Sequence, residues 1–404
     1  MTAAAAPRGA RFPCFDGLRA VAAMLIVVFH VASVPSIGAT TEKYWGAYLA
    51  RLDVGVAVFF VISGFLLYRP FASAHLGGTP TSRWRDFWWR RLLRIYPAYW
   101  VALTAAIVVF RSTNLHGAPD YLRHYALVQI YQPGYGLAGI VPTWSLAVEV
   151  SFYAAVPIYA GLIGLLTART TRVRALGAEL GGVAFLYALG LGVRAFLFYK
   201  NRPGTPSAQW LPAETDLFAL GMVLAVLSAA ASADVAIRAS EWVARPVRWL
   251  GARPYASWGL SAVAFVTVCN IGLQTNFAVG QYRRKAEMLH QILYGLTAFF
   301  LVLPAAFGPQ DAGVGRRLLR SRLVTAVGVV SYGVFLWHFD WITQLDDWGF
   351  SRLPHASRFV AVLVVATAVT MVTATISWFV VERPALARKH RPPWSVRNPS
   401  SARR

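Results

Sequence analysis

The sequence predicts an all-α integral membrane protein of about ten transmembrane helices, with both termini cytoplasmic. Three observations carry this expectation. Hydrophobic residues make up 57% of the 404 and charged residues only 14%, against roughly 45–50% and 25% in soluble domains, too much apolar surface for one water-exposed fold to hide. Apolar runs of about 20 residues recur along the chain, the length that crosses a hydrocarbon layer. Lys and Arg also rise and fall from one connecting segment to the next, as they do when alternate loops face the cytoplasm.

In chain order, the runs predict helices near 17–36, 51–69, 95–112, 143–166, 176–198, 214–232, 255–274, 286–307, 323–345 and 357–381. Between them, HLGGTP (75–80), RPGTP (202–206) and FGPQDAGVG (307–315) have turn chemistry and are too short for a further folded unit. One membrane domain is expected over 1–382, followed by a basic cytoplasmic tail over 383–404 whose Arg, Pro and Ser content predicts disorder. With the N-terminus inside, 26 of the 39 Lys and Arg fall on inner segments and 12 on outer ones, Arg19 lying within the first helix. The chain is expected in the cell inner (plasma) membrane as a multi-pass protein.

The net charge of +22 is spread over alternate loops beside anionic lipid, and this distribution calls for no nucleic-acid partner. Cys14 and Cys269 lie far apart, in or near apolar segments, which excludes a disulfide framework. The first apolar run carries Arg19 and His30, which favours a retained helix over a cleaved signal peptide.

Ionisable side chains inside apolar runs cost at least roughly 2.5–3.5 kcal/mol each on insertion scales, so each asks for a reason. Arg19 and His30 lie eleven residues apart in FDGLRAVAAMLIVVFH. That spacing puts them on one helix face, about 16 Å apart along the axis. Such a pair can grip an anion at one end and do chemistry at the other; alternatively, Arg19 snorkels to the interface and His30 bonds a neighbouring helix. Glu149, in PTWSLAVEVSFY, has Ser145 and Tyr153 one turn away on either side, with Trp144 beside them. Its carboxylate can orient an imidazole, or it can be a protonated packing residue. In SYGVFLWHFDW, His338 reads as a pocket candidate and Asp340 as surface-facing. Arginines 83, 85, 90, 91 and 94, interleaved with Trp84, Trp88 and Trp89, precede the third predicted helix and suit anionic lipid headgroups or a phosphorylated ligand. No HExxH and no Cys pair occurs, so no metal site is expected.

The chain resembles the membrane-bound acyltransferase 3 family over nearly its whole length. The resemblance rests on the ordered set FDGLRAVAAMLIVVFH, GVAVFFVISGFLL (55–67), RLLRIYP (91–97), WSLAVEVSFY (144–153), SYGVFLWHF (331–339) and WFVVERP (378–384). It implies an O-acyltransferase of about ten helices that uses cytoplasmic acyl-CoA, acetyl-CoA in the first instance, as co-substrate and holds no permanent cofactor. It implies that His30 is the catalytic histidine, with Arg19 as its motif partner. Arg91 and Arg94 then bind the donor's phosphates, and Glu149 takes the acidic position of the WSL motif. Where family members often carry a second Glu, this chain has Val150, a departure that counts against a paired-carboxylate scheme. Trp144, Ser145, Tyr153 and His338 are the further pocket candidates. Many members continue into a periplasmic SGNH-type esterase domain; here a basic tail follows the last helix. The membrane domain is therefore expected to complete transfer itself or to hand on to a separate periplasmic or extracellular transferase.

In the expected mechanism His30 acts either as general base on the acceptor hydroxyl or as a transient acyl carrier, with Glu149 or another polar neighbour setting its tautomer. The expected acceptor is a carbohydrate or glycosylated compound of the cell envelope, with a secreted small molecule such as a macrolide as the alternative. The outer segments hold Glu42, Asp53, Asp120, Glu214, Asp216, Asp346 and Asp347, chemistry suited to sugar hydroxyls. A transporter would also place ionisable groups at mid-membrane, but the basic cluster with Arg19 suits a CoA donor better than a proton relay.

Overall fold

Ten long helices dominate the computed structural model, which describes residues 12–77, 81, 83–132, 138–199, 206–233, 238–271, 284–389 and 391–394. They are α1 Cys14–Ser33, α2 Val54–His75, α3 Trp84–Ala105, α4 Thr143–Thr167, α5 Arg172–Tyr199, α6 Leu211–Ser232, α7 Pro254–Asn270, α8 Arg284–Ala306, α9 Arg322–Asp347 and α10 His355–Ser377. Among the described residues there is no β-strand, and nine helices are long and apolar enough to cross a membrane. The exception, α7, has 17 residues, about 26 Å of helix and the short end of a span. The predicted segments 202–205 and 272–274 lie outside the described residues.

Side-chain contacts give the register of the bundle. Asp16 abuts Gly328, His30 meets His338, and Ser36 donates to Asp346 at 2.7 Å. Residue numbers therefore advance together along α1 and α9, and the two helices run parallel in contact. Gly328 permits the approach, because a Cβ there would strike the Asp16 carbonyl. Parallel packing also joins α2 to α6, where Phe60 stacks on Phe218 and Arg69 Nε donates to Ser228 at 3.0 Å; between these, a Cβ on Gly64 would meet the Phe218 carbonyl and one on Gly221 the Val61 carbonyl. Small residues that let backbones touch are the usual adhesive between membrane helices, which gain no hydrophobic energy from leaving lipid. In α2 and α4, Ser63 pairs with Glu149 and Tyr68 with Tyr159, again in parallel. By contrast α5 runs antiparallel to α6, with Arg194 on Glu214 at 2.7 Å and Thr215 on the Leu186 carbonyl. The pattern is an up-and-down bundle in which alternate helices share a direction.

Four expectations change. The basic aromatic stretch does not precede the third helix; it forms the first turns of α3, which starts at Trp84. Arg and Trp tolerate that place because they reach the interface from inside a helix. Asp340 is not on the surface: it is 1% exposed and accepts from Ser112 at 2.7 Å. The outer carboxylates do not form an open sugar-binding rim. Asp120, Glu214 and Asp216 are buried, the last two sharing the Gln291 amide, and Asp53 accepts from Tyr294. Burial of this kind needs partners: Arg123 pairs with Asp120 and Arg194 with Glu214, while Gln291 and Tyr294 donate to Asp216 and Asp53. Finally, the tail expected from Arg383 begins as the helix Arg383–Ala387 and packs against α3. Trp394 Nε1 donates to Asp86 at 3.0 Å, and Trp89 Nε1 to the Arg388 carbonyl at 3.3 Å. Residues 395–404 lie outside the described residues.

One buried arginine outside the spans is structural. Arg316, 1% exposed, donates to the carbonyls of Gly251, Pro304 and Phe307. It so satisfies acceptors that the ends of two helices leave without partners.

Candidate active site

Five helices line a partly open cavity. α1 contributes Arg19 and α2 contributes Phe59 and Ser63. From α3 come Arg91 and Arg94, from α4 Ser145, Glu149 and Tyr153, and from α9 Ser331, Tyr332 and Phe335. The helical repeat explains the set. Ser145, Glu149 and Tyr153 follow at i, i+4 and i+8 and form one stripe of α4, while Arg91 and Arg94, three apart, share a face of α3. Two hydrogen bonds fix these faces. Trp88 Nε1 donates to the Tyr153 carbonyl at 2.9 Å, and Tyr332 Oη donates to the Ile95 carbonyl at 2.8 Å.

Charge in the cavity is unbalanced. Three guanidinium groups face one carboxylate, and that carboxylate is engaged: Glu149 Oε1 accepts from Ser63 Oγ at 2.5 Å and from Tyr153 Oη at 2.7 Å. The Arg91 guanidinium lies 5.7 Å from the Phe87 ring and 5.9 Å from the Tyr153 ring. Its Nε is buried with no hydrogen-bond partner among the described residues. A buried donor left open inside a cationic cavity is suited to an anion. The residue that sequence reasoning missed is Glu382, which lies behind Arg94. It is 2% exposed, neither carboxylate oxygen has a hydrogen-bond partner among the described residues, and it is near enough to Arg94 for their charges to interact. Its signal was an ionisable residue within the terminal motif WFVVERP.

His30 does not line this cavity. Although it shares a face of α1 with Arg19, it stands against α9, where His338 Nε2 lies 3.0 Å from its Nδ1. Phe29 and Phe339 flank its ring at centroid distances of 5.0 and 5.3 Å. Phe335, which does line the cavity, is 6.1 Å from the His338 ring, so it links the cavity lining to the histidine pair. The structure thus brings together Arg19, Arg91, Arg94, Ser145, Glu149 and Tyr153, and separately His30 with His338. Trp144 is outside the cavity lining. No hydrogen bond joins Glu149 to His30; the expected partner of the imidazole is occupied by Ser63 and Tyr153, and His338 holds that place instead. Among the described residues no three His, Cys, Asp or Glu side chains gather as metal ligands.

The family model of the acyltransferase domain matches residues 12–378. A Bacillus subtilis protein named as a peptidoglycan O-acetyltransferase is 24% identical over 396 residues, covering 92% of this chain and 54% of its own length. A membrane-bound transacylase by name from Komagataeibacter xylinus is 28% identical over 405 residues, 96% of this chain and 86% of the relative. An acyltransferase of Streptomyces mycarofaciens is 29% identical over 243 residues, 55% of this chain and 58% of the relative. The chain therefore spans about half the length of the Bacillus protein. No solved structure matches.

Proposed function

Because the chain belongs to the acyltransferase family whose model covers residues 12–378, we propose that it is an O-acyltransferase that moves an acetyl group from cytoplasmic acyl-CoA to a hydroxyl of a carbohydrate or glycosylated acceptor across the inner membrane. The observation that carries this reading is the pairing of a cavity bearing three arginines with an imidazole about 16 Å away along α1. Arg19, Arg91 and Arg94 hold the phosphates of the donor, and the thioester reaches past Phe335 toward His30. The acceptor oxygen attacks the thioester carbonyl, the C–O bond forms and the C–S bond breaks. The hydroxyl proton passes to His30 and leaves on the CoA thiol. Through an acyl-imidazole, a C–N bond to His30 forms as C–S breaks, and the acceptor oxygen then forms C–O as C–N breaks. The name of the Bacillus relative supports an envelope polysaccharide as acceptor. The first arginines of the basic stretch, Arg83, Arg85 and Arg90, rest on anionic lipid.

The test is His30→Ala in membrane vesicles supplied with labelled acetyl-CoA. Transfer should fall by at least about 100-fold, the contribution of a positioned acid–base group, with unchanged membrane insertion. Retention of most activity would remove His30 from the chemistry. Deleting the gene and comparing envelope glycans by mass spectrometry should reveal the acceptor by its missing acetyl mass.

A further inference from the structure

The two imidazoles between α1 and α9 have four ring nitrogens, and three are committed. His30 Nδ1 lies 3.0 Å from the Ile26 carbonyl, and His338 Nδ1 lies 3.0 Å from the Val334 carbonyl. Each histidine thus turns Nδ1 back onto the carbonyl one turn earlier in its own helix. A carbonyl only accepts, so both Nδ1 atoms carry hydrogen. His338 Nε2, 3.0 Å from His30 Nδ1, must then be the lone-pair acceptor, and the His30 Nδ1 hydrogen is shared between Ile26 O and His338 Nε2. A doubly protonated His338 would reverse this bond, but the residue is 0% exposed with no carboxylate hydrogen-bonded to it, where an unpaired charge is costly. One nitrogen remains: His30 Nε2, which makes no hydrogen bond with a described residue.

We propose that His338 is a positioning residue that locks His30 in the Nδ1–H tautomer, presents its Nε2 lone pair to the reacting centre, and shares the proton of the imidazolium formed there. This rests on the reading of His30 as the reacting imidazole. Both routes of that reading, proton uptake or acylation at Nε2, place positive charge on the ring. That charge strengthens Nδ1–H as a donor exactly toward the waiting acceptor, which is a neutral imidazole where hydrolase triads use a carboxylate. In a low-dielectric bundle a neutral acceptor avoids burying an extra charge in the resting state. It also gives the Glu149 carboxylate no part in setting the tautomer.

The experiment compares His338→Phe, His338→Gln, His30→Ala and the unaltered enzyme, purified in detergent and checked for monodispersity. Phe fills the volume without an acceptor, and the Val334 carbonyl keeps its helical N–H partner. Gln places an amide oxygen near the position of Nε2. His338→Phe should lower kcat by about 100-fold with the KM for acetyl-CoA within about twofold, while His338→Gln should recover to within about tenfold of the original kcat, in line with the usual size of acid–base effects. A packing role would not be rescued by Gln and would not separate kcat from KM. Wild-type kcat in His338→Phe with an inactive His30→Ala would overturn the inference and leave His30 standing. Equal loss in the Phe and Gln variants, both well folded, would overturn it as well. An active His30→Ala would overturn the reading beneath it and this inference together.

Discussion

Replacing Arg91 by Ala should impair donor binding and little else. The side chain is held between the rings of Phe87 and Tyr153, with its Nε buried and without a hydrogen-bond partner among the described residues. Truncation therefore breaks no hydrogen bond of Nε in the resting protein. It removes one guanidinium from the three that line the cavity. A hydrogen bond to a charged group contributes about 1.5–3 kcal/mol, so losing one contact to a donor phosphate predicts a KM for acetyl-CoA raised roughly 10- to 150-fold. Because the phosphates are remote from the reacting carbon, kcat should stay within about threefold. The assay is steady-state transfer in vesicles, run in parallel with acetyl-pantetheine, which keeps the thioester and lacks the phosphates. On that truncated donor the Arg91→Ala and original enzymes should be equal. An unchanged KM for acetyl-CoA, or an equal loss with acetyl-pantetheine, would refute the assignment of Arg91 to the donor's phosphates.

Two further outcomes are expected. Arg316→Ala strips the buried carbonyls of Gly251, Pro304 and Phe307 of their donor. At about 1–3 kcal/mol for each unsatisfied buried group, the detergent-solubilised protein should show a clearly lower unfolding temperature, and an unchanged one would mean that water replaces the guanidinium. Sidedness can be read with thiol probes in a variant lacking Cys14 and Cys269. Arg85→Cys should label only from the cytoplasmic face and Asp347→Cys only from the other, both positions being exposed. Labelling of both from one side would contradict the opposed entry of donor and acceptor.

Much of this architecture was legible without coordinates, because a bilayer imposes one-dimensional rules. Apolar runs of set length become helices wherever they lie, and nothing distant need be known to place them. Nine described helices and the shorter α7 accordingly overlap the predicted runs, α3 alone starting well ahead of its run, at Trp84. Within one helix the geometry is also local, so the i, i+4 stripe of Ser145, Glu149 and Tyr153 was readable before it was seen lining a cavity. Contacts between helices are not local. The spacing of Arg19 and His30 put them on one face of α1, but only packing decided that Arg19 opens to the arginine cavity while His30 turns to α9 and meets His338. The same holds for Glu149, whose sequence neighbours suited an imidazole partner and whose actual second partner, Ser63, comes from another helix. Asp340 reads as surface-facing, and Glu214 and Asp216 as outer-segment residues, because charge argues for water, and a single residue cannot reveal that Ser112, Arg194 or Gln291 waits to receive it. The sequence by itself determined the class, the spans and the residues able to do chemistry. Only the tertiary structure decided which of them meet, because that depends on close approaches such as Gly328 on Asp16 and Gly221 on Val61, which set the register between helices far apart in the chain.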